Sequence, residues 1–202
     1  MFVTKEEIRQ ASSSPVLPRE HRAKFSLPPM AMQPFTSVIT YLTSRSIPEN
    51  VVASLIRSKL LYQDSLHCNA VFVNKVQDYC EIRGAGYVPF HGSRKLKPDR
   101  FWYLPPKVSP RIAFLCEAAI DALSLMLIHK ANQELYPDTV YVTIGGVANQ
   151  QAIERIKRRI PAVLAVDNDP AGEDCCQKNP DLHHLIPSGK DWNVDLCAYC
   201  AP

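Results

Sequence analysis

No stretch of this chain stays apolar for the roughly 20 residues that a bilayer-spanning helix requires. The N-terminus, MFVTKEEIRQ, carries acids and lacks a compact apolar block. It does not read as a secretory signal, and the expected compartment is the cytoplasm. A disulfide framework is also missing. The seven cysteines (Cys68, Cys80, Cys116, Cys175, Cys176, Cys197 and Cys200) are odd in number and scattered, a pattern that suits free, partly buried thiols in a reducing compartment. Cys197-Ala-Tyr-Cys200 has the spacing of half a zinc site, yet there is no second CxxC. His183 and His184 complete a Cys2His2 set only if the fold brings them close. Net charge is small, +3; it gives little long-range attraction for a polyanion and neither argues for nucleic acid nor excludes it. Gly145-Gly146 lacks the spacing of a P-loop or a dinucleotide fingerprint, which excludes an ordinary nucleotide triphosphatase.

What is present is a chain of 202 residues, 46% hydrophobic, long enough for one sizeable domain or two modest ones. Residues 1–33 are broken by Ser12–Ser14 and by prolines at 18, 28 and 29, and read as an N-terminal arm on the body or a mobile leader. Phe35, Val38, Ile39 and Leu42 form a helical stripe. Pro48 and Glu49 then suit the start of a second helix whose apolar face is Val51, Val52, Leu55 and Ile56. From residue 66 the period becomes that of strands, with CNAVFVNKV (68–76), DYCEIRGAGYVPF (78–90) and FWYL (101–104). Within FWYL, alternation points Trp102 opposite to Phe101 and Tyr103. Pro105-Pro106 ends this region, so a small α+β unit is expected over 34–107 and a second unit over 108–202. The run HGSRKLKPDR (91–100) is a solvated loop or a phosphate-contacting edge, with Arg94 and Lys95 as the candidate contacts.

From residue 111 the order is strand (111–117), helix (119–135), strand (139–146), helix (149–160), strand (162–169), a third helix from 171, and a short fourth strand within 181–188. Apolar strands alternating with helices predict an α/β fold, a parallel sheet flanked by helices with right-handed crossovers. Glu117 ends the first of these strands, and Asp167 and Asp169 end the third. Strand C-termini of a parallel sheet open onto one edge, so these acids become neighbours. Each alone is an ordinary surface residue or a solvated turn; their joint placement is what carries weight. Clustered carboxylates repel and resist desolvation, and Mg2+ or Mn2+ relieves both penalties. Asp121, four residues after Glu117, binds such an ion indirectly, orients water, or simply favours its helix N-terminus. Gly145 and Gly146 bring a loop close to the acidic centre or make a structural turn, and Gly172 permits tight packing where the third helix begins.

The segments FLCEAAIDALSL (114–125), TIGGVANQQAIERI (143–156) and LAVDNDPAGEDCC (164–176) together resemble the Toprim superfamily, the catalytic fold of bacterial-type primases, topoisomerases and several nucleases. The resemblance covers about residues 108–195. It implies a catalytic or metal-associated role for Glu117, metal binding by Asp167 and Asp169, a role for the following acid Asp121, and Gly145 as the glycine after the central strand. KDWNVD (190–195) resembles a further segment of primase-like Toprim proteins of mobile elements. It adds Lys190 as a phosphate contact and Asp191 and Asp195 as site-lining acids; the segment is otherwise a cap on the sheet. YLTSRSIPENVV (41–52), YCEIRGAG (79–86) and HGSR (91–94) resemble the small domain that accompanies Toprim in plasmid, phage and conjugative-element proteins. One departure is Ala118, where the usual residue is glycine. A zinc-binding primase domain, a helicase motor and a topoisomerase tyrosine domain are not recognisable. The resemblance implies metal-dependent phosphoryl or nucleotidyl transfer on DNA or RNA, primase-like or nuclease-like. The alternative is a non-enzymatic mobile-element protein that binds nucleic acid or inhibits a host defence factor. A replication or transfer protein is a further candidate partner.

Overall fold

The computed structural model describes residues 25–85, 89–106, 108–134 and 138–201. Most of the expected N-terminal arm, and Gly86, lie outside these. Residues 28–31 run along the first unit: the Tyr62 hydroxyl donates to Pro28 O (2.7 Å) and Ala31 N–H to Gln63 O (2.8 Å).

The helical hairpin forms as its stripe requires. Helix α1 (Thr36–Ser44) and helix α2 (Glu49–Arg57) bury Val38, Leu42, Val52 and Leu55. An antiparallel sheet follows in the order β1 (Leu61–Gln63), β2 (Ala70–Val73), β3 (Tyr79–Arg83), β4 (His91–Lys95). Sequence pattern misses β1, because its three residues are all buried and follow the helix after a three-residue turn, which leaves no alternation to read.

The second sheet has the order β5-β7-β6-β8-β9, from β5 (Trp102–Leu104), β6 (Ile112–Cys116), β7 (Thr139–Thr143), β8 (Ala162–Leu164) and β9 (His183–His184). Strands β7, β6, β8 and β9 are parallel, as expected. One placement is corrected. Sequence order groups FWYL with the first unit, but β5 pairs antiparallel with β7 and forms an edge of the second sheet. Its backbone finds hydrogen bonds there, while the Trp102 ring reaches back to Phe72 and donates Nε1–H to Leu60 O (3.2 Å).

Alternation along the strands sorts two cores. Helix α3 (Ala119–Ala131) and helix α6 (Trp192–Tyr199) cover one face, and their Leu123, Leu125, Trp192 and Leu196 join Phe72, Tyr79 and Trp102 in a core continuous with the first unit. Helix α4 (Gln150–Lys157) and helix α5 (Pro170–Lys178) cover the other face over Ala113, Leu115, Val142 and Leu164. Each face of a parallel sheet is thereby removed from water. Among the described residues, no helix is long and apolar enough to cross a membrane.

His129, buried in α3, lies 2.7 Å through Nδ1 from the Tyr141 hydroxyl and packs edge-on against Phe114. Burial lowers its pKa from the ordinary 6.5. The unfolded chain therefore takes up this proton at a higher pH than the native state. The stability this residue contributes is complete above about pH 6.5 and is lost as pH falls through the lower native value. Relative to His129→Gln, the wild type is expected to lose stability between about pH 7.5 and pH 5, as measured by urea unfolding at each pH.

Candidate functional site

Strand β6 delivers Glu117 to the C-terminal edge of the sheet, and α3 starts two residues later. The extension of β8 delivers Asp167 beside it: Asp167 N–H donates to Glu117 Oε1 at 3.2 Å. The turn after β7 closes the third side. Gly146 N–H donates to Glu117 O (3.3 Å). Gly145 has φ +67°, and a Cβ there would stand 2.6 Å from the Tyr79 hydroxyl. Both conditions call for glycine.

These residues line a cleft of about 590 Å³ together with Asp121, Asp169, Lys190 and Asp191. Carboxylates fifty residues apart in sequence are thus neighbours. Burial is the main cause that pushes the Asp167 carboxyl up to about 7, reinforced by the charges of Glu117, Asp191 and Asp169. Burial also raises Glu117, and it holds Asp121 well above the usual carboxylate range, with Asp167 and Asp191 adding to the shift. Asp167 Oδ1 is buried and, among the described residues, has no hydrogen-bond partner. An orphaned acceptor in a field of like charge fits a hard divalent cation, which prefers oxygen donors.

The acids share the cleft without being drawn into a coordination sphere. Among the described residues, no group of three or more His, Cys, Asp or Glu side chains is arranged to hold a metal ion as it stands. Two of the acids have other partners. Asp169 caps α5, its Oδ1 accepting from Ala171 and Gly172 N–H (both 2.9 Å), and Asp191 caps α6 by accepting from Val194 N–H (2.8 Å). Asp195 holds the preceding loop, accepting from Ser188 N–H (2.7 Å) and Gly189 N–H (2.6 Å), and so sets the position of Lys190. Gly172 lies where a Cβ would meet Asp167 O at 2.0 Å, so this glycine lets α5 start directly against the DxD backbone.

Arg94 is not brought to the cleft; its Nη1 donates to Ser26 O (3.1 Å). Lys95 borders a neighbouring depression beside Gly145. The cleft's basic side chains are instead Arg83, Arg45 and Lys190. Cys197 lies on α6 and Cys200 is its C-cap; all seven cysteines are free.

Several site residues come from the first unit and were missed in the sequence. Glu81 is buried in β3 and accepts from Ala119 N–H through both oxygens (3.1 and 3.0 Å) and from Arg83 Nε (2.8 Å). A side chain of the antiparallel sheet therefore satisfies a free N–H at the start of α3. Burial raises the Glu81 pKa against the opposing pull of Arg83. Arg45 donates Nη1–H to Asn193 Oδ1 (3.2 Å), and Asn193 donates to Arg45 O (2.9 Å) and Ser124 Oγ (3.1 Å), which joins the hairpin to α6 and α3. The one available signal was that Glu81 and Arg83, two apart on a strand, share a face.

Residues 114–196 match a family profile described as Toprim-like. No curated protein matches the chain. Among solved structures, the primase fragment of the bacteriophage T7 primase-helicase protein is similar at TM-score 0.55 and 14% identity, over 78% of this chain and 69% of that one. A chain from the T7 lagging-strand DNA polymerase complex, with primase domains of two subunits bound to an RNA/DNA hybrid and dTTP, is similar at TM-score 0.51 and 16% identity, over 78% of this chain and 84% of that one. At these identities the structural likeness is one of fold, and it extends beyond the stretch matched by the family profile. Residues 114–196 are thus Toprim-like by sequence, and over a longer stretch the chain shares its fold with these primase domains.

Proposed function

We propose that the cleft performs divalent-metal-dependent phosphoryl or nucleotidyl transfer on nucleic acid, in a primase-like or nuclease-like reaction. The observation that carries this reading is Asp167: a desolvated carboxylate with one orphaned oxygen, hydrogen-bonded through its backbone to Glu117 and facing a cleft with cationic side chains. Mg2+ or Mn2+ would be held by Asp167, Glu117 and the Asp169 oxygen not engaged in capping. Such an ion supplies charge neutralisation at a transferring phosphoryl group. Arg83, Arg45 and Lys190 hold phosphate oxygens. Arg83 is itself fixed by Glu81, so its charge is positioned before substrate arrives. Glu117 completes the oxygen set or accepts the proton of the attacking hydroxyl or water. Asp121 backs the site from α3.

The test compares wild type with Asp167→Asn on labelled single-stranded and duplex DNA and RNA, with Mg2+ or Mn2+, with and without nucleotides. Primer synthesis or cleavage is expected in wild type. The variant is expected to lose more than the roughly 100-fold that replacing an outer-shell partner costs. The ion alone is also expected to raise the wild-type melting temperature and not that of the variant. Undiminished turnover in a folded Asp167→Asn protein would overturn the assignment.

A second reading rests on the capping roles of Asp169 and Asp191 and on Ala118. In this reading the cleft is a retained acidic surface of a protein that binds nucleic acid, or a replication, transfer or host-defence protein, without turnover. Binding that survives replacement of Glu117, Asp167 and Asp169 together, with no reaction on any substrate, would favour it.

A further inference from the structure

Three shallow clefts adjoin along the flank formed by β5, α4 and the 96–100 loop. The first, about 350 Å³, touches Gly145, which also borders the acidic cleft, and is lined by Lys95, Gln150 and Gln151. The second, about 680 Å³, shares Gln150 and Gln151 and adds Lys97, Arg158 and Arg159. The third, about 660 Å³, shares Arg100, Arg155 and Arg159 with the second and opens onto Phe101 and Tyr103. Shared walls make these a continuous track that begins at the acidic cleft.

Much of the track's charge is unneutralised. Arg155 pairs with Asp99 (2.8 Å) and Arg100 with Asp78 and Asp99. Lys95, Lys97, Arg158 and Arg159 have no ion-pair partner among the described residues. Arg158 and Arg159 lie at the C-terminal end of α4, where cations suit the helix dipole. That explains these two residues but not the lysines facing them from another element. At the far end Phe101 and Tyr103 form a half-buried edge-to-face pair, centroids 6.2 Å apart, with the Arg155 guanidinium 5.7 Å over the Phe101 ring. Cations followed by aromatic rings are the means by which proteins hold single strands without sequence preference.

We propose that this flank is a binding track for a single nucleic-acid strand continuing out of the acidic cleft, with phosphates on Lys95, Lys97, Arg158 and Arg159 and bases against Phe101 and Tyr103. It rests on the reading of the cleft as a nucleic-acid site. Continuity through Gly145 and the ring pair favour a strand over an acidic protein surface.

The test measures binding of single-stranded oligonucleotides of about 4 and about 20 nucleotides, lengths at and beyond the small end of known site sizes. Wild type is compared with Arg158→Gln/Arg159→Gln and, on the separate loop, Lys97→Gln, all with melting temperatures checked. For the long oligonucleotide, the double variant is expected to lower the slope of log K against log salt by about 1.4, at about 0.7 per phosphate contact on a single strand. Extrapolated across a tenfold salt range, that is about 25-fold weaker binding at about 0.1 M salt. The short oligonucleotide, held by the cleft alone, keeps its affinity. Unchanged long-oligonucleotide affinity in folded variants overturns the track and leaves the proposed function standing. Failure of wild type to bind either length overturns both. An equal loss for polyglutamate and for the long oligonucleotide overturns the strand assignment in favour of an acidic protein.

Discussion

Trp102→Ala is expected to destabilise the protein by about 3–5 kcal/mol, the usual cost of removing a fully buried tryptophan. The residue joins two units by different parts of itself. Its backbone belongs to the second sheet, paired with Thr143 of β7. Its ring lies in the core of the first unit, wholly buried, edge-on to Phe72 at 5.5 Å, with its indole N–H on Leu60 O. Truncation leaves a cavity beside Phe72 and removes the indole hydrogen bond, while Leu60 O keeps its backbone donor, Val73 N–H (3.0 Å). Trp102→Phe keeps most of the volume and is expected to cost about 1–3 kcal/mol, from the lost hydrogen bond and imperfect refilling. Urea unfolding measures both. A loss below about 1 kcal/mol for the alanine variant would show that the two units do not depend on this ring.

Gly172→Ala is the second substitution with a large expected effect. Its added methyl would sit 2.0 Å from Asp167 O and 3.1 Å from Asp167 C. The obstacle is backbone, so no side-chain rotation relieves it. Overpacking costs about 1–3 kcal/mol when side chains can yield, and this site is expected at or above the top of that range. To relieve the clash α5 must back away from the strand end, which breaks the Asp169 cap and shifts Asp167 from Glu117. Loss of stability and loss of the metal-induced rise in melting temperature should therefore appear together. A stable variant with a normal metal response would show that the helix start and the carboxylate are positioned independently.

The α/β order and the meeting of Glu117 with Asp167 were legible in the sequence, because apolar strands alternate with helices and parallel strands must end on one edge. Gly145, Gly146 and Gly172 were legible for a related reason: tight turns and close approach leave glycine as the trace. The basic side of the cleft was not. A run such as HGSRKLKPDR draws attention by density, yet strand alternation turns Arg94 away, while the isolated Arg83 faces in. Glu81 was hidden for a different reason. Its partner is a backbone N–H at the head of a helix thirty-eight residues on, and no pattern of residue types announces a main-chain donor. The membership of β5 was lost in the same way, since chain order groups it with the strands before it and hydrogen bonding groups it with those after.

The clasp of Glu81 on Ala119 has a consequence for how such a protein can be cut and recombined. An α/β unit excised at Pro105-Pro106 would lose the Glu81 carboxylate that accepts from Ala119 N–H, the Arg83 guanidinium beside it, and the Trp102 ring. The acidic edge thus draws part of its support from the small antiparallel sheet, and an isolated second unit would begin its first helix with an unsatisfied N–H.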